Sequence, residues 1–279
     1  MYTINPFAEL ASSIPPVVMQ TFLIVMVLFV VGGTLFDVIH KGSARYFFDN
    51  FRKSREQGSK VNFSSKLRIA VHTLLSDVLT SSELIGWKRR TAHLLGMYGF
   101  ILNVVATFMM VMFYTASDIV TPAIWPKIWV IGAIMVCVGT SWFWFFIRVN
   151  VSAEGNSPFT IVRADLFILS VFATNAFALA WAYSQSISSG WSVFFLGFYL
   201  LATTILFGSV PWSKFSHMFF KPAAAFEKGM SVENGSRNNL PEPADRTNPA
   251  TRDRHSMDLL QDAPLDMGLG MKRETPRHY

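Results

Sequence analysis

Histidine is the side chain in this sequence whose placement points most directly to chemistry. There are six: His40, His72, His93, His217, His255 and His278. The last two lie in a polar C-terminal stretch, and His72 sits on the polar side of an amphipathic segment, where a lone imidazole is ordinarily solvated. His40, His93 and His217 instead stand at the ends of long apolar runs. Two neutral imidazoles from different helices are what a b-type haem needs, one on each side of the iron and with no covalent attachment. The ring wants small neighbours, and Gly96 and Gly99 follow His93 within two turns. The propionates want cations, which Arg89, Arg90, Lys214 and Lys221 could supply. The plainer reading is that histidines at a membrane edge hydrogen-bond headgroups or water. The aromatic and methionine residues (Phe108-Met109-Met110, Trp142, Trp144, Phe145, Phe146) read as lipid-facing or packing surface rather than a cofactor box.

Other redox chemistry has no ligands to hold it. Cys137 is the only cysteine and lies in an apolar run, so no intrachain disulfide, C-x-x-C, ferredoxin-type motif or C-x-x-C-H haem attachment exists. No nucleophile–base set or metal-hydrolase motif appears, so the chain is not expected to be catalytic alone. Polar residues inside apolar spans are the remaining candidates. Asp37 could pair with Lys41 or Arg45, and Arg163 with Asp165, while Asn103 and Asn175 suit helix-to-helix hydrogen bonds. The chain of buried carboxylates expected of a proton-coupled pump is missing.

The elements that position these residues follow from composition. The 279 residues are 51% hydrophobic and only 15% charged, against about 25% for an ordinary soluble domain. The charges cluster between long uncharged runs, so the net charge of +6 favours a membrane surface over nucleic acid as partner. Five runs approach the roughly 20 residues a helix needs to cross a bilayer: residues 17–39, 92–114, 126–147, 166–183 and 191–210. The expected fold is an all-α five-transmembrane-helix bundle. Continuous apolar runs exclude a barrel, and no internal repeat suggests an inverted-repeat transporter. The loop between Lys41 and Ala92 holds 11 of the 24 Lys and Arg, whereas residues 1–16 and the turns Ser117–Trp125 and Ser184–Gly190 hold none. The positive-inside rule therefore puts the N-terminus outside and the C-terminus in the cytoplasm. Residues 1–16 lack a basic n-region and the first run is too long for an h-region, so it is expected to remain as a helix. Residues 40–91 form a basic cytoplasmic loop containing an amphipathic helix at 64–83, with Leu67, Val71, Leu74, Val78 and Leu79 opposite Arg68, His72 and Ser76. It could lie on the inner leaflet or cradle a partner. Residues 211–228 form a cytoplasmic segment that carries His217. The stretch 229–279 reads as a disordered tail, in which Met257-Asp258-Leu259-Leu260 is the short apolar-acidic run with a candidate role in ordering on a partner.

Two stretches carry a family resemblance. Lys88-Arg89-Arg90-Thr91-Ala92-His93-Leu94-Leu95, running into Tyr98-Gly99-Phe100, resembles the second helix of the five-helix cytochrome b subunits of respiratory complexes. Pro211-Trp212-Ser213-Lys214-Phe215-Ser216-His217-Met218 resembles the end of their fifth helix. This group includes the nitrate reductase gamma subunit and the membrane domains of heterodisulfide-reductase-like and quinone-interacting oxidoreductase complexes. Three further stretches, Asp37 to Ala44, Trp142 to Arg148 and Phe219 to Phe226, are similar to the membrane anchor subunits associated with adenylylsulfate (APS) reductase in sulfur-oxidising bacteria.

The resemblance implies a multi-pass protein of the bacterial inner membrane that passes electrons between a soluble, cytoplasmic flavin and iron–sulfur APS reductase and the quinone pool. It implies His93 and His217 as axial ligands of one cytoplasmic-side haem b. The deeper haem of diheme relatives would need histidines at positions 103 and 199, where this chain has Asn103 and Tyr199. At most one haem is therefore expected, with the basic loop and amphipathic helix as docking surface. The rivals are a haem-free anchor of the same enzyme and, from another class, a small transporter.

Overall fold

The computed structural model describes residues 3–40, 43–82, 84, 86–116, 119–148, 159, 161–162, 165–213, 215, 217–237 and 240. All regular elements among them are helices. In chain order they are α1 (Pro6–Leu10), α2 (Pro16–His40), α3 (Ser43–Gln57), α4 (Phe63–His72) continued by a π-helical turn (Thr73–Leu79), α5 (Trp87–Phe113), α6 (Ile124–Phe146), α7 (Leu166–Ser186), α8 (Ser192–Gly208) and α9 (His217–Glu233). Four of these, α2, α5, α6 and α7, are long and apolar enough to cross a membrane, and α8 is a shorter apolar helix of 17 residues. The chain is thus an α-helical, multi-pass membrane protein.

The helices α5, α6, α7 and α8 pack consecutively, and α2 closes the set by lying against both α8 and α5. α2 is the peripheral member: 17% of its most apolar window is buried, against 39% for α6 and α7. Small residues let α5 and α6 touch backbone to backbone. A Cβ on Gly132 would stand 2.7 Å from the carbonyl oxygen of Gly99, and one on Gly139 would stand 2.7 Å from that of Ala92. Lipid offers helices no hydrophobic drive to associate, so such close approach is what holds them together.

The interior divides into two layers. One gathers Phe7, Met19, Met110, Trp129, Trp181 and Tyr199, the other Val136, Val171, Leu206, Val210 and Phe215. Part of the expected N-terminal tail, 1–16, packs into the first layer. Asn5 caps α1 by accepting from the Phe7 amide at 3.0 Å, and its own amide donates to the Tyr114 carbonyl at 3.0 Å. Phe7, 1% exposed, then sits edge-on to Trp129 and Trp181 with centroids 5.9 and 5.2 Å away. The N-terminal segment is a plug.

At the opposite end α3, α4 with its π turn, and α9 form a cap. Its fastening is polar. The Asn234 amide donates at 2.9 Å to both the carbonyl and the hydroxyl of Ser54, and Ser54 and Ser231 hydroxyls meet at 3.1 Å. Residues 229–237, expected in the tail, are therefore ordered: α9 runs to Glu233, and Met230, Ser231 and Asn234 are buried. The rest of that expected tail, 238–239 and 241–279, lies outside the described residues, as do Lys41, Arg163 and Lys214.

Candidate functional site

The sequence-predicted residues that are described stand in the first two turns of α5 and α9. His93 occupies the second turn of α5 and is exposed. His217 opens α9, and its side chain lies outside what is described. What joins their neighbourhoods is Phe215, 3% exposed, whose ring meets Phe100 of α5 at 6.3 Å, Phe167 of α7 at 5.7 Å and Phe207 of α8 at 5.9 Å. Phe100 lies seven residues beyond His93, two turns along nearly the same face of α5. The link between α8 and α9 is thereby packed among α5, α7 and α8, two residues before His217.

The cations hold mixed positions. Arg89 and Arg90 are half-buried in the first turn of α5, and Lys221 is exposed on α9. Arg90 is engaged, its Nε donating to the Thr80 carbonyl at 2.6 Å. Nearby on α9, burial pushes the Glu227 carboxyl above the usual carboxylate range, with a hydrogen bond to Ser231 opposing the shift.

The two glycines expected to admit a flat ring part company. A Cβ on Gly99 would stand 2.7 Å from the Gly132 carbonyl oxygen, so Gly99 serves helix packing. Gly96 has open space beside it. The residues present suit a haem at the rim of the bundle, where His93 is exposed and Gly96 leaves room. Two turns deeper along α5, Phe215 and the rings of Phe100, Phe167 and Phe207 fill the interior and leave no room for one. Among the described residues no three His, Cys, Asp or Glu side chains come together. Any metal there would need a smaller set, such as two imidazoles.

The deeper level is packed by other residues. Asn103 donates across to the Trp129 carbonyl of α6 at 3.1 Å, the helix-to-helix bond expected of it. Tyr199 stacks on Trp181 with centroids 5.6 Å apart and planes 19° from parallel. Beside them lies a cavity of about 60 Å³ with Asn103, Thr107, Thr174, Asn175, Tyr199 and Thr203 on its polar wall. Asn175 departs from expectation: its amide donates within α7 to the Val171 carbonyl at 2.9 Å, and its Oδ1 finds no partner among the described residues.

One charged pair was missed. Asp165 was expected to meet Arg163, which lies outside the described residues; its carboxylate accepts a fork from Arg148, the Nε–H arm at 2.7 Å and an NH2 arm shorter still. The Val162 amide donates to the same carboxylate at 2.9 Å, and the guanidinium lies 4.2 Å from the centroid of the Trp144 ring. The pair ties the end of α6 to the start of α7. Asp37 is buried on α2, and Arg45 is exposed.

No family model, curated protein or solved structure matches this chain.

Proposed function

We propose that the chain is a membrane anchor and electron-transfer subunit, docking a cytoplasmic flavin and iron–sulfur oxidoreductase of the APS reductase type and linking it to membrane quinone. In this reading it crosses a bacterial inner membrane five times, α8 included, with the N-terminus outside and the C-terminus in the cytoplasm. The observation that supports it is the burial of Phe215, two residues before His217, in ring contact with Phe100 on the helix that carries His93.

A haem b held there would supply a one-electron carrier between the soluble partner and quinone. His93 and His217 would provide its two imidazoles, and Arg89, Arg90, Lys214 and Lys221 would offset its propionate charge, with Arg90 also bracing Thr80. The aromatic cluster around Phe215 would keep water and lipid out of the bundle beneath. With the deeper layer filled by Phe7, Trp129, Trp181 and Tyr199, quinone would be met on the side where electrons enter. The basic segment 40–91 would receive the partner.

The packing of Phe215 also favours a second reading, a haem-free anchor of the same enzyme in which His93 and His217 are structural. The two separate in a pyridine haemochrome and redox difference spectrum of the chain purified from a haem-replete host. The first reading expects a b-type signal at about one haem per chain that His93→Ala or His217→Ala abolishes. A haem-free wild-type protein would reject it in favour of the second. Co-purification with a soluble flavoprotein supports either over a transporter.

A further inference from the structure

The segment formed by α4 and its π turn carries an apolar stripe that none of the described residues covers. Phe63 is 80% exposed, Leu67 54%, Val71 46% and Leu74 55%. Steps of four and three residues put these on one helical face. The opposite face is occupied. Ile69 abuts Gly229 of α9, Thr73 is buried, and Arg68 donates to both carboxylate oxygens of Glu233 at 2.8 and 2.9 Å.

Two hydrogen bonds to α5 fix the depth of the segment. Arg90 Nε donates to the Thr80 carbonyl and Tyr98 Oη to the Leu79 carbonyl, both at 2.6 Å. Tyr98 lies eight residues beyond Arg90, about 12 Å further along the axis, and helical side chains lean back toward the helix N-terminus. Leu79 is therefore held between those two levels. The run Lys88-Arg89-Arg90 marks the headgroup level of α5. A segment standing off the membrane would end above that level, whereas this one ends below it. An interfacial helix buries its apolar face roughly 5–10 Å into the headgroup–acyl boundary, which is the same depth. Exposed Lys60 and Lys66, before and within α4, suit lipid phosphates.

We infer that α4 and its π turn lie in the plane of the leaflet at the basic end, with Phe63, Leu67, Val71 and Leu74 against lipid. The inference rests on the bundle spanning a membrane and not on the electron-transfer reading. It leaves the exposed surfaces of α3 and α9 to meet any soluble partner.

The test uses the full chain in nanodiscs of phosphatidylcholine and phosphatidylglycerol, in a Cys137→Ser background. An NBD fluorophore is attached at Leu67→Cys or Leu74→Cys, with Leu28→Cys on the outer face of α2 as lipid reference and Lys53→Cys on α3 as water reference. Quenching by 5-doxyl-phosphatidylcholine at Leu67→Cys and Leu74→Cys should reach at least half that at Leu28→Cys, with iodide quenching several-fold weaker than at Lys53→Cys. Labels that follow Lys53→Cys while Leu28→Cys is quenched by lipid would overturn the inference and leave the membrane reading standing. Labels shielded from both quenchers would overturn it in favour of a protein covering. Loss of lipid quenching at Leu28→Cys as well would reject the membrane reading itself. Should Cys137→Ser fail to fold, Cys137 is kept and the signal of the labelled parent chain subtracted.

Discussion

Arg148 and Asp165 have side chains only 8% exposed and pair across the connection between α6 and α7. Removing one partner of such a pair leaves a buried charge unmatched, a loss of about 3–5 kcal/mol, whereas replacing both by apolar groups is often close to neutral. Asp165→Ala should therefore lower the thermal unfolding midpoint of the detergent-purified protein by several degrees, and Arg148→Met/Asp165→Leu should regain most of it. A double variant no better than the single would show that the pairing is not what the site contributes. The sequence singled out Asp165 as a charge at the mouth of a span and offered it Arg163, which lies outside the described residues; Arg148 it did not offer, because that contact depends on the fold returning residue 148 to the same level. Asn103 was legible, since a lone amide inside an apolar run has few outlets other than another helix.

At the scale of elements, hydropathy located the long helices and misplaced their ends. α5 begins at Trp87, five residues before the apolar run opening at Ala92. Lys and Arg are good helix formers, so the helix continues past the edge of the hydrocarbon that hydropathy senses. The cap was not legible. Its fastening joins Ser54 to Asn234, 180 residues apart, through small polar side chains with no periodic signal. The α5–α6 contact makes a sharper claim. Gly132 faces backbone, so Gly132→Ala should force the two helices apart and destabilise the fold by about 1–3 kcal/mol. Gly96 faces open space, so Gly96→Ala should be neutral or stabilise by up to about 1 kcal/mol through helix propensity. Equal unfolding midpoints for the two variants would contradict the packing at Gly99 and Gly132.

For the molecule as a whole, the proposed orientation is the claim with the widest consequences, because it decides which compartment sees His93 and the cap. A green fluorescent protein fused after Ser236 should fluoresce in a bacterial host. Alkaline phosphatase inserted at Ser188, in the uncharged turn between α7 and α8, should be active. The reverse pattern would place the basic end outside and end the proposal of a cytoplasmic partner. The candidate site was half legible on this scale. His93 and His217 stood out by residue type at helix ends, while Phe215, which governs how the chain returns between them, is one of 26 phenylalanines and carried no signal of its own.

The buried N-terminal plug also sets an order of events. Phe7 rests on Trp129, Trp181 and Tyr199, side chains that the ribosome supplies long after Phe7 itself. Synthesis runs from the N-terminus, so α1 must wait beside an unfinished bundle and close only when α6, α7 and α8 have arrived. Docking of the first turn therefore reports that assembly is complete.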